Sequence, residues 1–217
     1  LRRHCAHAAA AYVDKVGKDY YDIHNRASDP ALLKKGGTKM KVLLVNGSPH
    51  PTGTTYAALS EVAAELERQG IEAQIYRLPS GPLQPCTACG RCHQKDAAGC
   101  VFDDGVNEFI DEAKKADGFV FGSPVHYASA SGLITTFLDR AFFAGSRAFA
   151  YKPGAGVVCC RRGGASAAFD QINKYFTIAR MPVVSSQYWN MVYGGNAEQA
   201  RLDAEGMQTM RTLGRNM

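Results

Sequence analysis

The sequence predicts an α/β protein: a doubly wound, five-stranded parallel sheet in the order 2-1-3-4-5, helices on both faces, and an N-terminal helical extension. Three observations predict it. Short, continuously apolar runs alternate with longer stretches of 3.6-residue periodicity, the pattern of strand and helix in a parallel sheet covered on both sides. Two of those runs, "MKVLLVNGSP" and "GFVFGSP", end in the same Gly-Ser-Pro turn. The helical stretches are long enough to cross over a sheet face and bring each strand back parallel to the last.

The elements follow in order. "MKVLLV" reads as the first buried strand, and the loop Asn46–Thr55 leads into the helix "YAALSEVAAELERQG", with Thr54 or Thr55 as its cap and Gly70 as its stop. "IEAQIYRL" alternates as a second strand. "DDGVNEFIDEAKKAD" is the next helix, and Asp103–Asp104 read as its N-terminal cap rather than as a catalytic carboxylate pair. "GFVFGSP", "GAGVVCC" and "MPVVSSQYW" are the third, fourth and fifth strands. "SGLITTFLDRAFF" and "SAAFDQINKYFTIAR" are the helices between them, and "AEQARLDAEGMQTMRTLGRN" is one closing helix. Five strands of this kind fit the flavodoxin-like order, whose ligand crevice lies outside the carboxyl ends of strands 1 and 3.

A chain of 217 residues holds one well-buried domain and an appendage. Residues 1–39 are read as the extension, a helix over about Ala6–Tyr20 and a linker, and residues 40–217 as the domain. Leu1 is not a translation start, so more sequence is expected upstream, while Met40 would open a complete domain. The extension carries eight of the 25 Lys/Arg and four of the 20 Asp/Glu, so nearly all of the net charge of +5 lies outside the domain. No basic stripe remains for nucleic acid, and no apolar run approaches the roughly 18 residues of a membrane span. Seven cysteines, odd in number and clustered, with no export signal, point to a reducing cytoplasm rather than a disulfide framework. His4, Cys5 and His7 are read as an incidental cluster.

Three loops converge on the expected crevice. "NGSPHPTGTT" opens a helix, where backbone N–H groups and the positive helix end favour an anion; Ser48, Thr54 and Thr55 add hydroxyl donors. No lysine follows the glycine and no G-x-G-x-x-G is present, so neither a Walker loop nor a dinucleotide fingerprint is read. "GSPVHYASAS" leaves strand 3 with Pro124, Val125, His126 and Tyr127 suited to a flat ring system, the histidine stacking or hydrogen-bonding in preference to proton donation. "CCRRGGAS" leaves strand 4, with Gly163 and Gly164 near the same crevice, Arg161 and Arg162 as positive charge, and Cys159–Cys160 as core residues. Tyr188 and Trp189 read as core or pocket wall.

"KVLLVNGSPHPTGTTYAAL", "ADGFVFGSPVHYASASGLITTFLDR" and "MPVVSSQYWNMVYG" resemble the NAD(P)H-dependent FMN reductase family over about Met40–Met217. The resemblance implies FMN phosphate at Ser48, His50, Thr54 and Thr55, with the isoalloxazine ring on Pro124, Val125, His126 and Tyr127. His50 departs from the arginine common at its place and leaves more of the anion to the backbone. It also implies reduction of FMN by NADH or NADPH, a small-molecule acceptor (quinone, nitro or azo compound, or flavin), and a homodimer or larger homo-oligomer. The flavin carries the hydride chemistry, in keeping with the lack of a Ser-His-Asp or paired-carboxylate constellation.

"PCTACGRCHQKDAAGC" places Cys86, Cys89, Cys92 and Cys100 at C-x2-C-x2-C-x7-C. Such thiols wrap a [4Fe–4S] cube or, more crowded, hold zinc. The motif resembles that of iron–sulfur flavoproteins, with x7 at the long end of its last gap; cluster-free FMN reductases carry a similar row. Unmetallated thiols therefore stand first, a cluster second, zinc third. Against the reductase reading stand an electron carrier between protein partners, which the lack of an acidic docking run disfavours, and a cysteine-based metal or redox sensor.

Overall fold

A computed structural model describes residues 39–217 apart from Ser80; the expected extension, with its helix and its His4–Cys5–His7 group, lies outside the described residues. Strands β1 (Lys41–Asn46), β2 (Glu72–Arg77), β3 (Gly118–His126), β5 (Gly154–Cys160) and β6 (Met191–Tyr193) form a parallel sheet ordered β2-β1-β3-β5-β6. The short β4 (Ser129–Ala130) turns back antiparallel on β3. With that hairpin arm set aside, the order is the expected 2-1-3-4-5. The helices are α1 (Thr54–Arg68), α2 (Val106–Lys115), α3 (Gly132–Phe149), α4 (Ala165–Ile178), α5 (Ala197–Leu202) and α6 (Ala204–Asn216).

Alternation along the central strands divides the core in two. Leu43, Val45, Phe119, Phe121 and Val158 face α2, α3 and α4, where Phe109, Phe137, Phe149 and Phe176 are fully buried. Val42, Leu44, Val120, Val157 and Cys159 face α1 and α6, against Leu59, Val62, Met210 and Leu213. The first layer is aromatic, with Phe142 and Phe149 stacked at 4.3 Å. Each buried phenylalanine contributes about 1.5–3 kcal/mol, so this layer anchors the sheet.

Four expectations are corrected. "MPVVSSQYW" touches the sheet at a single bridge, Gly154 with Val183, and the ladder strand is Met191–Tyr193. Pro182 has no N–H to give a ladder. Beyond it, Ser186 Oγ donates to Thr209 O (2.6 Å) and Ser185 O, a carbonyl that a ladder would have used, accepts from Asn216 Nδ2 (2.8 Å), so the segment is held by α6. The closing helix is two, broken at Asp203, whose carboxylate accepts from Gly206 N (3.0 Å) and from Tyr193 N (2.8 Å). Helix α1 has Gly53 at its N-cap with no side-chain cap, so neither Thr54 nor Thr55 caps it. Helix α2 likewise begins at Gly105 without a side-chain cap; Asp104 is instead the partner of a buried arginine.

Candidate functional site

The first loop is organised by Asn46, Gly47 and Ser131, which the sequence did not single out, together with Ser48, which it did. Asn46, 1% exposed, closes the turn: its Oδ1 accepts from Ser48 N (3.1 Å) and its Nδ2 donates to Pro51 O (3.3 Å). Ser48 Oγ accepts from His50 N (3.1 Å). Gly47 N–H donates to Gly122 O (2.8 Å), and a Cβ on Gly47 would lie 2.7 Å from that oxygen, so only glycine lets β1 exit this close to β3. Ser131 ties in the next helix: Oγ donates to Gly47 O (2.9 Å) and accepts from Ile134 N (3.3 Å). Ser123 Oγ accepts from Ser131 N (3.0 Å) and so ties the next helix to β3, which runs on through Gly122, Ser123 and Pro124 to His126 instead of ending there in the expected turn.

The second loop is a two-residue hairpin. Val125 pairs with Ala130 and His126 with Ser129. The turn residues Tyr127 and Ala128 have φ of 52° and 60°, the positive values a type I′ turn demands. Neither is Gly or Asn, so the turn holds strain of about 1–2 kcal/mol per residue. Gln171 of α4 pins it, accepting from Ser129 Oγ (2.8 Å) and Ala130 N (2.9 Å). The third loop closes on the same turn: Gly164 has φ of 85°, and a Cβ there would lie 2.7 Å from Ala128 Cα.

These loops surround a cleft of about 540 Å³ at the carboxyl ends of β1, β3 and β5, within the range of small-molecule sites. Of the sequence-named residues, Ser48, His50, Thr54, Pro124, Val125, His126 and Arg161 line it. Thr55 is fully buried beneath the loop, Tyr127 projects fully into solvent, and neither the exposed Gly163 nor the half-buried Gly164 lines the cleft. Tyr188 and Trp189 are exposed and do not line the cleft. The far wall, absent from the sequence expectations, is Gly194–Glu198 after β6, with Cys159 and Cys160 below it. Cys159 and Cys160 point to opposite sheet faces, each packed in a different half of the core. Burial pushes the Cys159 thiol up to about 12 and also raises Cys160, so both stay neutral thiols.

The cleft fits a phosphorylated ligand on two observations. The first N–H groups of α1 have no side-chain cap, leaving the positive helix end to an anion. Thr55 Oγ1, in that first turn, is buried without a well-formed hydrogen bond; the nearby Cys159 thiol is a weak acceptor.

A second site lies in the connection from β2 to α2. Cys86, Cys89, Cys92 and Cys100 line one small cavity of about 20 Å³ with Phe102, Phe143 and Ala144. The backbone N–H of Arg91 beside Cys89 lowers that thiol, while burial, then neighbouring thiols, raises Cys92. The loop is pinned from three sides. His93 packs edge-on against Phe143 at 4.4 Å. Asn107 clamps Cys100, accepting from its N–H (2.8 Å) and donating to its carbonyl (2.9 Å). Arg140, 1% exposed, uses Nη1 and Nη2 on both oxygens of Asp104 (2.5 and 2.8 Å) and gives Nε–H to Cys100 Sγ (3.3 Å). Among the described residues, no three His, Cys, Asp or Glu side chains converge on one ion. A cube asks for something else: each thiolate ligates a different iron, so the sulfurs ring a space rather than meet at a point. The soft, four-thiol donor set fits that group.

Comparison with known proteins follows the same lines. Residues 40–196 match the family model described as NADPH-dependent FMN reductase. An iron–sulfur flavoprotein of Methanocaldococcus jannaschii is 31% identical over 186 residues, spanning 82% of this chain and 95% of that protein. One from Methanosarcina thermophila is 27% identical, spanning 79% and 90%. Among solved structures, an NAD(P)H:quinone oxidoreductase from Methanothermobacter marburgensis superposes with a TM-score of 0.62 at 14% identity, covering 82% of this chain and 99% of that one. An archaeal flavodoxin does so at 0.54 and 17%, covering 81% and 94%; at these identities the likeness shows the fold alone. With an uncapped helix end, a β1 exit locked against β3 and a ring-sized cleft at the sheet's switch point, the chain belongs to the NADPH-dependent FMN reductase family of flavodoxin-like, FMN-dependent oxidoreductases.

Proposed function

We propose that the protein draws electrons from NADH or NADPH through FMN bound in the cleft and passes them to a small acceptor, a quinone, nitro or azo compound, or a flavin. The observation that carries this reading is the anion-ready first turn of α1 opening into the 540 Å³ cleft. Bound there, FMN supplies the hydride chemistry. Ser48, His50, Thr54 and the Thr55 hydroxyl would hold its phosphate, and Pro124, Val125 and His126 would support its ring, with Tyr127 beyond the cleft's rim. Arg161, with the backbone at Gly163 and Gly164, would offset negative charge on the reduced ring. No helix among the described residues is long and apolar enough to cross a membrane; a cytoplasmic homodimer accords with the family. The test is purification followed by absorption spectra and steady-state NAD(P)H oxidation. A yellow protein that turns over with a quinone supports the reading, and FMN-loaded protein inert with every small acceptor overturns it.

A second reading is favoured by the four thiols around one cavity: Cys86, Cys89, Cys92 and Cys100 hold a [4Fe–4S] cluster, and electrons leave singly to a protein partner. The relatives' names, iron–sulfur flavoprotein, support it, and a cube, with each thiolate on a different iron, needs no single point of convergence. Iron, sulfide, zinc and FMN measured per chain after anaerobic purification decide it: four irons per chain support the cluster, and FMN without iron overturns it.

A further inference from the structure

Arg140 is an unexpected residue to find in the middle of α3. It sits on the buried stripe with Phe137 and Ala141, is 1% exposed, and stacks on the Phe102 ring at 5.0 Å. A buried cation is costly unless paired and hydrogen-bonded, and every N–H of this guanidinium has a partner. Nη1 serves Asp104 and Gln84 O, Nη2 serves Asp104 and Phe102 O, and Nε serves Cys100 Sγ. Four of those five acceptors are strong oxygens. The fifth is a thiol, a weak acceptor while protonated, and a strong, charge-assisted one as a metal-bound thiolate. The bidentate pair with Asp104 compensates the charge, while the Nε–H is left to the Cys100 sulfur alone, which ties the orientation of that thiol to the buried arginine. Cys100 is also the one cysteine of the four outside the compact C-x2-C-x2-C turn, and the one whose approach must be fixed from elsewhere in the fold.

We propose that Arg140 is a positioning residue of the four-cysteine centre: its Nε–H aims Cys100 Sγ into the cavity and, by donating to that sulfur as thiolate, raises the reduction potential of the cluster held there. Hydrogen bonds to cluster sulfurs make added negative charge easier to accept, which is how a protein tunes such a centre. Because Asp104 cancels the net charge of Arg140, the directed bond is the lever rather than a bare cation. The inference rests on the cluster reading above.

The experiment separates the two. Wild-type protein, purified anaerobically, is assayed for iron, sulfide and FMN; absence of iron removes the cluster reading and this inference with it. With four irons present, Arg140→Lys is poised at the wild-type cluster midpoint and the reduced cluster is counted by its EPR signal. The expected result is FMN content unchanged and the ratio of reduced to oxidised cluster lowered roughly tenfold, the size a lost charge-assisted bond gives. Should the single variant fail to fold, the double Arg140→Met, Asp104→Leu replaces the buried pair with apolar volume, an exchange that cores accept, and the same ratio is read. Four irons with an unchanged midpoint in a folded variant would leave Arg140 a structural residue only and overturn the proposal.

Discussion

Thr55→Val should stabilise the apoprotein and weaken its hold on FMN at the same time. Thr55 is fully buried, and its Oγ1 lacks a well-formed hydrogen bond; burying such a hydroxyl unsatisfied costs about 1–3 kcal/mol. Valine keeps the shape and removes the penalty, so unfolding of the apoprotein in urea should shift to higher midpoint, by about 1 kcal/mol, with an unchanged slope. If the hydroxyl is held for the ligand, it becomes a charge-assisted donor to phosphate, worth about 1.5–3 kcal/mol. Its loss then raises the Kd for FMN roughly ten- to a hundredfold, read by flavin fluorescence titration. Thr55→Ser provides the opposite signature. It keeps the oxygen and deletes the methyl that packs against Gly122, so affinity holds while stability drops by about 1 kcal/mol. A valine variant with FMN affinity within twofold of wild type would refute the assignment of this hydroxyl to the phosphate. A less stable apoprotein would refute the claim that the group is unsatisfied.

Other outcomes follow from the same geometry. Gly122→Ala places a Cβ 2.8 Å from Thr55 Cγ2 and 2.9 Å from Leu59 Cδ1, so overpacking should cost about 1–3 kcal/mol in chemical denaturation. Asp104→Asn leaves Arg140 unpaired, its own side chain 1% and that of Asp104 14% exposed, and should destabilise by about 3–5 kcal/mol. Burial opposes ionisation of Asp104, but the bonds from Arg140 and Gln84 N–H outweigh it and hold the carboxyl below its ordinary 3.8. A depressed carboxylate contributes fully above the unfolded value, so wild-type stability should hold above about pH 4 and fall as pH drops below it, a dependence that Asp104→Asn should lessen. Among the six described cysteines, iodoacetamide on the reduced, metal-free protein at pH 8, followed by mass spectrometry, should modify the exposed, lowered thiol of Cys89 first and the buried Cys159 last.

The strands were legible because burial on both faces leaves a continuous apolar run, and the run needs no partner to be seen. Where the sequence reading failed, the deciding partner lay far along the chain. "MPVVSSQYW" has strand composition, yet its polar groups bond to Thr209 and Asn216 on a helix more than twenty residues away. The β3–β4 hairpin was invisible because Tyr127-Ala128 is not the Asn-Gly a type I′ turn announces itself with; Gln171 and Gly164, both on the α4 side, hold it instead. The first two loops of the cleft could be read from small residues at a helix start. The wall at Gly194–Glu198 could not, because its placement depends on β6, the strand that was misplaced.

Arg140 shows what a stricter reading of pattern could have recovered. In "FLDRAFF" the arginine falls on the apolar stripe with Phe137 and Ala141, and a cation on a core stripe requires an acidic partner within the fold. The adjacent aspartates after Cys100 are the available candidates, but local chemistry alone places them as a helix cap and leaves the arginine unexplained. Only tertiary structure selects Asp104 over Asp103, because Gly105, with φ of 92°, turns the chain so that Asp104 meets α3. That selection has a consequence for the cysteine loop. Its anchors, the Asp104–Arg140 pair, the Asn107 clamp on the Cys100 backbone and the His93–Phe143 contact, use no thiol as a metal ligand. The loop is therefore shaped before any metal arrives, and a cluster assembling there would meet thiols already gathered round one cavity, with less ordering entropy left to oppose binding.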